Sequence, residues 1–277
     1  MSLIVSSGLS AGAGLSQTAG LYGGEGLNES YSAQAQQFLA RITNPGPAQS
    51  LRYANLIDSL VTAGVWTKLD VLMVYAAPSS ATALINLKSS SFASTLTLAP
   101  TFTAYQGFLT NGTNNYINTN YSPLNGAGNF SQNSGIAGFW SLTVGDTVGS
   151  MGTQDANGVS VGIKNGTSAT MRLNGTTAVA GIVTGVSDGT GLAVSSRVGS
   201  ATIQVYVNGI ELNSAASTSA TPVADTIKVG FRGTDAGVGS YSIRRFAASV
   251  VGGGLTATEH TALYNALLAY MQAVGAV

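Results

Sequence analysis

Two helical patterns of apolar residues enclose a long stretch of β-type patterns. The first runs from Ala48 to Gly64, where apolar residues recur at helical spacing and a glycine stands at the C-terminal end. The second begins at Thr256 and Glu259, which have the spacing of a capping box. An apolar stripe follows it at Leu263, Tyr264, Leu267, Leu268 and Met271. The stripe predicts a C-terminal helix that packs on the β-rich part of the chain.

Between these helices the chain consists of short β-prone runs separated by turn sequences. The runs are 69–76, 83–87, 136–144, 159–164, 169–173, 191–198, 201–207, 226–231 and 241–251. Asn-Gly and Asp-Gly pairs recur between them, and both pairs supply the positive φ angles of tight hairpin turns. The clearest hairpin is predicted where the alternating run Ile203–Val207 meets Asn208-Gly209. The fold class predicted is all-β, a two-sheet antiparallel sandwich.

The N-terminal segment, residues 1–46, has a different composition. Its first 30 residues are rich in Gly, Ser and Ala, which cannot bury enough apolar surface to fold alone. Its large apolar anchors are Leu3, Leu9, Leu15, Leu21 and Leu27. A short helix is predicted over Tyr31–Ile42, and the sequence Asn44–Pro47 then breaks the chain. We therefore expect an attachment arm over 1–46, ordered only in an assembly, and a sandwich domain over 47–277.

Charge is unusually scarce in this chain. Only 8% of the residues are charged, against about 25% in a typical domain, and eleven basic side chains balance eleven acidic ones. No basic run extends beyond Arg244-Arg245, so the sequence argues against nucleic acid as a partner. With no net charge to keep copies apart, we expect a homo-oligomer or a larger assembly.

Other features limit the location and the redox chemistry. The chain has no cysteine, which excludes disulfides and thiol chemistry. The start Met1–Gly14 lacks the positive region of a secretory signal, and no apolar run approaches the roughly 20 residues of a membrane span. We expect synthesis in the cytoplasm and no membrane insertion.

Three groups of segments together resemble the concanavalin A-like lectin and laminin-G-like jelly rolls found in virion proteins of tailed phages and prophages. The first group is Val65–Leu72 after a helix. The second is Pro100–Thr103, Gln106–Phe108, Asn111-Gly112 and Tyr116–Thr119, and the third is Val205–Gly209, Ile227–Gly230 and Leu255-Thr256. The resemblance covers about residues 50–275. It implies a jelly roll whose relatives serve as virion surface, tail or fibre domains and often bind glycans.

Lectin-like folds direct attention to aromatic residues and to loop carboxylates. Glycan sites stack sugars on exposed aromatic rings, although most aromatic residues of a sandwich are core. The candidates for glycan contact are Tyr105, Tyr116, Tyr121, Trp140 and Tyr241. Calcium requires several converging oxygens, and the loop candidates are Asp155, Asn157, Asp188 and Asp235. The alternative for these four is that they are turn formers, which their Gly-rich surroundings favour.

The sequence argues against catalysis. Retaining glycoside hydrolysis needs two carboxylates about 5 Å apart, and no Glu-x-Asp or Asp-x-Glu pattern occurs. A serine triad would depend on His260, the sole histidine. We expect His260 to be a partly exposed helix residue whose replacement by alanine costs no more than a surface substitution, about 0.5 kcal/mol.

The leading hypothesis is therefore a phage virion structural protein, either a capsid decoration or a tail or fibre subunit. In this hypothesis the lectin-like sandwich faces outward and the arm binds other virion proteins. The alternative is an adhesin that binds a host surface polysaccharide, and a glycoside hydrolase is the poorest of the three.

Overall fold

The structure, a computed structural model, describes residues 31–145, 150–153, 157–165, 168–175 and 188–277. Its helices are α1 (Ala33–Leu39), α2 (Pro47–Thr62), α3 (Ser80–Ala83) and α4 (Ala257–Val274). Its first eight strands are β1 (Leu69–Val74), β2 (Thr95–Thr97), β3 (Thr101–Thr103), β4 (Gly107–Leu109), β5 (Tyr116–Asn118), β6 (Ser134–Ser141), β7 (Met151–Gly152) and β8 (Val159–Asn165). The others are β9 (Ser168–Leu173), β10 (Gly191–Val198), β11 (Thr202–Val207), β12 (Ile210–Ala216), β13 (Lys228–Val229), β14 (Phe231–Gly233), β15 (Gly239–Tyr241) and β16 (Arg245–Gly252).

The strands form two sheets. The first, sheet A, has the order β12-β11-β10-β6-β16-β4-β3, with β1 also paired to β16. The second, sheet B, has the order β15-β14-β7-β13-β5-β2, and β8 extends it from β7 to β9. Among the strands that the structure describes, every pairing is antiparallel except one parallel contact between β14 and β7, Arg232 with Gly152. The predicted two-sheet sandwich is confirmed.

The inner strands of sheet A, β1, β6, β10 and β16, are buried on both faces, which gives the protein two apolar cores. Successive side chains of a strand point to opposite faces, and β1 shows the result. Its Val71 and Met73 pack in the core between the sheets. Its Leu72 and Val74 pack in a second core, between sheet A and the helices. The helices therefore form a third layer on the outer face of sheet A.

The two predicted flanking helices are present. Helix α2 spans the predicted segment, and Gly64 follows its end with a φ of 72°. Helix α4 begins with the predicted capping box, in which Thr256 and Glu259 bond each other's backbone N–H. It ends at Gly275 in the left-handed conformation. Among the helices that the structure describes, none is both long and apolar enough to cross a membrane.

The hairpin predicted at Asn208-Gly209 is also present. Both residues have positive φ angles, 52° and 76°, as a type I′ turn requires. One predicted strand is wrong, because residues 83–87 form the end of α3 and a loop rather than a strand. The Ser79 hydroxyl caps that short helix by accepting a bond from the Thr82 amide, which diverts the backbone from the extended conformation.

The predicted arm falls partly within the described residues. Residues 1–30, with all five anchor leucines, lie outside them, so the attachment role stays a prediction. From Tyr31 onward the chain packs on the sandwich domain: the ring of Phe38 contacts Tyr53 edge-on, with centroids 5.0 Å apart. The guanidinium of Arg41 donates to the carbonyls of Asn86, Leu87 and Ser89 at 2.8, 2.6 and 2.5 Å. The packed unit accordingly runs from Tyr31 to Val277.

Candidate functional site

A cleft of about 400 Å³ lies where the end of β6 meets the start of β10, beside α4. We call it the Trp140 cleft. Its lining residues are Trp140, Ser141, Leu142, Val144, Thr190, Gly191, Asn208, Tyr264, Leu268 and Val277. The volume falls in the range that small-molecule sites occupy, about 300 to 1,000 Å³.

Two stacked aromatic rings form the floor of the Trp140 cleft. The rings of Trp140 on β6 and Tyr264 on α4 are nearly parallel, at 7°, with centroids 5.7 Å apart. Trp140 is only 3% exposed, whereas Tyr264 is half-buried. A ligand would therefore meet the ring of Tyr264 and the edge of Trp140.

Polar groups form a second wall. The side-chain oxygen of Asn208 accepts the backbone N–H of Leu192 at 2.9 Å, which fixes the carboxamide. The hydroxyl and the backbone N–H of Thr190 both donate to Asp188, at 2.6 and 2.7 Å. These two bonds lower the pKa of Asp188, so this carboxylate stays ionised. The Asn208 amide group can donate to a ligand, and the Thr190 hydroxyl oxygen can accept from one.

A buried arginine holds the loops of the cleft together. The side chain of Arg244 is fully buried, and its guanidinium donates to the hydroxyl of Ser141 at 2.8 Å. It also donates to the carbonyls of Thr143, Gly145 and Gly189 at 2.9, 2.9 and 2.6 Å. A Cβ at position 189 would lie 2.6 Å from a guanidinium nitrogen, so only glycine permits this approach. The planar fork of arginine thereby joins the two loops on either side of the cleft.

The other predicted aromatic candidates are divided among different places. Tyr116 and Tyr241 both stack on the buried Phe231, with centroids 5.1 and 4.3 Å away, and the two tyrosine rings lie 6.4 Å from each other. Both tyrosines are half-buried, and the three rings belong to neither core. This second aromatic cluster is on sheet B and includes no residue of the Trp140 cleft.

Tyr121 and Tyr105 have local structural surroundings. Tyr121 is fully buried, and its hydroxyl donates to the carboxylate of Asp70 at 3.1 Å. Burial, together with that carboxylate, raises the pKa of Tyr121 well above its ordinary value. Such burial argues against sugar contact at Tyr121. Tyr105 is half-buried in a tight turn, where its backbone N–H donates to Ala77.

The structure does not bring the calcium candidates together. Asp155 lies outside the described residues, and the described residues contain no cluster of three or more His, Asp or Glu side chains that could hold a metal. Asn157 is half-buried in a turn. Asp188 is bonded to Thr190 as described above.

Asp235 forms a salt bridge with Lys228. The buried ammonium of Lys228 lies 2.6 Å from its carboxylate and also donates to the carbonyls of Thr226 and Gly233. Burial raises the pKa of Asp235, but the hydrogen bonds and charge of Lys228 and the bonds from Thr226 outweigh it, and the net pKa is lowered. A lysine ammonium thus lies among the oxygens that a metal would have used.

The expectation for His260 is wrong. The side chain is 1% exposed, its Nε2 lies 3.0 Å from the hydroxyl of Ser196, and its ring stacks on Tyr206. The turn of α4 that carries His260 faces sheet A. The helical period could have predicted this burial, because His260, Leu263 and Leu267 lie on the same face of the helix. Burial lowers the pKa of His260 to about 3, although the charge of Glu259 opposes this. The imidazole is therefore neutral at pH 7.

Comparison with known proteins gives only distant similarities. No family model matches the chain, and no curated protein matches it. Domain 4 of AbnA, an extracellular arabinanase from Geobacillus stearothermophilus in complex with arabinotriose, aligns with 71% of this chain and 98% of its own, at 13% identity and a TM-score of 0.41.

Two larger solved structures are similar over part of their length. The binding domain of botulinum neurotoxin serotype D aligns with 76% of this chain and 53% of its own, at 11% identity and a TM-score of 0.47. A mutant Trypanosoma rangeli sialidase that displays trans-sialidase activity aligns with 81% of this chain and 40% of its own, at 9% identity and a TM-score of 0.48. This chain thus spans about half the length of the toxin domain and less of the sialidase. Similarities at this level do not assign the chain to any of these classes.

Sequence reasoning missed most of the Trp140 cleft. It selected Trp140, but it placed Tyr264 and Leu268 among the core positions of the last helix and read Asn208 only as a turn residue. The missing information was the crossing of α4 over the end of sheet A, which depends on contacts more than 100 residues apart in sequence. One signal was available. The five apolar positions of the last helix form a stripe wider than a single narrow contact needs, which indicates that part of the stripe lies outside the buried face.

Proposed function

We propose that this protein is a carbohydrate-binding domain that holds a sugar in the Trp140 cleft. The observation that carries the proposal is the combination, in one cleft, of a half-exposed ring on a stacked pair and fixed polar groups. Tyr264 offers the ring, and Asn208 and Thr190 offer a donor and an acceptor. A sugar ring has apolar C–H faces and a polar rim, so this combination matches its chemistry.

The rigidity of the cleft supports the same proposal. Arg244 fixes the loops through four groups, and Trp140 is held in the core between sheet A and the helices. Binding to a preformed site avoids the entropic cost of ordering loops. A protein that binds flexible polysaccharide from solution would benefit from such a site.

We propose further that the domain binds without catalysis. Asp188, a described carboxylate next to the cleft, is bonded to Thr190, and its lowered pKa makes it a poor general acid. His260 is buried against Ser196, with a pKa of about 3, and is a poor base at neutral pH. Release of reducing ends from a bound polysaccharide by the purified protein would overturn this part of the proposal.

The test is glycan binding by paired variants. Wild type, Tyr264→Ala and Tyr241→Ala are applied to an array of bacterial surface polysaccharides and oligosaccharides. Loss of binding in Tyr264→Ala alone supports the proposal, because both tyrosines are half-buried and only one lines the cleft. Loss in Tyr241→Ala alone would move the site to the aromatic cluster on sheet B, and a featureless array for wild type would contradict the proposal.

The setting that we propose is the surface of a phage virion, as a decoration, tail or fibre subunit. The support is the low charge, the Gly-Ser-Ala segment at residues 1–30 and the resemblance of the sequence segments to virion jelly rolls. Mass spectrometry of purified virions tests this setting, and absence of the protein from them would refute it.

A further inference from the structure

We infer that the sugar bound in the Trp140 cleft is uncharged and carries a methyl group, on an acetamido substituent or at a 6-deoxy carbon. The inference rests on the proposed function and specifies its ligand class. It is drawn from two properties of the lining, its lack of charged side chains among the described residues and its combination of aliphatic and polar side chains.

No side chain that lines the cleft is charged among the described residues. Two charged groups of the described residues lie next to it, Asp188 and Arg244, and both are already engaged. Asp188 accepts both donors of Thr190, and Arg244 directs its N–H groups at the carbonyls of the loops. A carboxylate or sulfate on the ligand would lose water without gaining a cation, which disfavours its binding. The cleft therefore selects against uronic and sialic acids.

The apolar side of the cleft is aliphatic. Leu142 and Leu268 pack on the core beneath the helices, so their positions are fixed. Val144 also lines the cleft, and 72% of its surface is exposed, so its methyl groups are accessible to a ligand. Aliphatic side chains form no hydrogen bonds with hydroxyl groups. A ligand methyl group that covers these side chains removes apolar surface from water.

The polar groups of the lining are Asn208 and Thr190. Asn208 can donate and Thr190 can accept, so a bound sugar would direct hydroxyls to these two side chains. The part of the sugar that is turned away from them would meet the aliphatic side chains of the lining, Leu142, Val144 and Leu268. An ordinary hexose places a hydroxyl there, whereas an acetamido or 6-deoxy sugar places a methyl group there. Acetamido and 6-deoxy sugars therefore both offer a methyl group, and the following experiment distinguishes between them.

The experiment compares matched sugars by NMR titration of the full chain. N-acetyl-D-glucosamine is paired with D-glucose, L-rhamnose is paired with L-mannose, and D-glucuronic acid is the charged control. We expect the methyl-bearing member of at least one pair to bind about tenfold or more tightly than its partner. We also expect D-glucuronic acid to bind more weakly than either sugar of that pair. The pair that shows the preference identifies which methyl group is bound.

Two matched variants test whether Val144 is responsible for the preference for a methyl-bearing sugar. Val144→Thr keeps the shape but replaces a methyl with a hydroxyl, and Val238→Thr makes the same change at a valine 63% exposed elsewhere. We expect only Val144→Thr to remove most of the preference. Equal affinities within both pairs, or tighter binding of D-glucuronic acid, would overturn the inference and leave the proposed function intact. Failure of every sugar to bind would overturn both.

Discussion

The imidazole of His260 stacks on the ring of Tyr206, with centroids 3.6 Å apart and planes inclined by 13°. The contact joins the first turn of α4 to β11. The side chain is 1% exposed, and its Nε2 lies 3.0 Å from the hydroxyl of Ser196. The sole histidine is therefore part of the interface that attaches the last helix to sheet A.

We predict that this buried histidine makes the protein less stable as the pH falls from 6.5 toward 3. The folded-state pKa is about 3, and an unfolded chain has a value near 6.5, so the unfolded state binds the extra proton in that window. Stability is then complete above pH 6.5 and falls on acidification, by up to about 1.4 kcal/mol per pH unit. Urea unfolding at pH 7, 6 and 5 measures the slope.

The control for the histidine prediction is His260→Gln, which keeps a polar group near Ser196 but does not titrate. We expect this variant to be less stable at pH 7 and to lose most of the slope between pH 6.5 and 5. An unchanged slope in the variant would assign the pH dependence to other groups. The carboxylates with lowered pKa values, Asp188, Asp235 and Glu259, add their own losses only below their unfolded values, near pH 4.

We predict that Arg244→Lys destabilises the domain by roughly 3 kcal/mol and weakens sugar binding. Lysine keeps the charge but cannot reach all the loop oxygens that the guanidinium fork contacts, and buried carbonyls are left without donors. Arg245→Lys is the matched control, because Arg245 is half-buried and its guanidinium donates to the carbonyl of Gly107 at the long distance of 3.4 Å. Chemical denaturation and NMR titration of both variants provide the measurement, and equal effects would contradict the role given to Arg244.

We predict unequal losses for two adjacent leucines of α4. Leu267 is fully buried between the helices and sheet A, so Leu267→Ala should cost about 2 to 5 kcal/mol. Leu268 is half-buried at the cleft, so Leu268→Ala should cost clearly less and should weaken sugar binding more. Equal losses of stability would show that the helix packs differently.

Deletion of residues 256–277 should give insoluble protein, since it uncovers one face of sheet A.

The last helix also shows how far the sequence could predict the fold. Its capping box and its period of 3.6 are local signals, and both were sufficient to locate it. The two-sheet class likewise followed from turn pairs such as Asn208-Gly209, which dictate backbone angles directly. Burial of sheet A on both faces was not predictable in this way. The cleft exists only because α4 crosses β6 and β10, and no local pattern encodes that crossing.

We predict that the domain begins at Tyr31 rather than at Pro47. A chain starting at Tyr31 should keep the melting transition of the full chain. A chain starting at Pro47 loses the contacts of Phe38 and Arg41, and should be destabilised by roughly 3 kcal/mol or more. Both should fail to join the assembly if residues 1–30 form the attachment arm. Calorimetry of the two truncations tests the boundary, and identical melting transitions would contradict it.

The central claim is that sugar binds in the Trp140 cleft, and the chain contains an internal probe for it. It has two tryptophans, Trp140 in the cleft and Trp66, whose ring lies beneath the ammonium of Lys88 at 5.0 Å. A ¹⁵N-labelled sample therefore gives two indole N–H signals, assigned with Trp66→Phe. On titration with N-acetyl-D-glucosamine and with L-rhamnose, we predict that at least one sugar shifts the Trp140 signal in a saturable manner while the Trp66 signal stays in place. Saturable shifts elsewhere in the spectrum with a stationary Trp140 signal would contradict the claim.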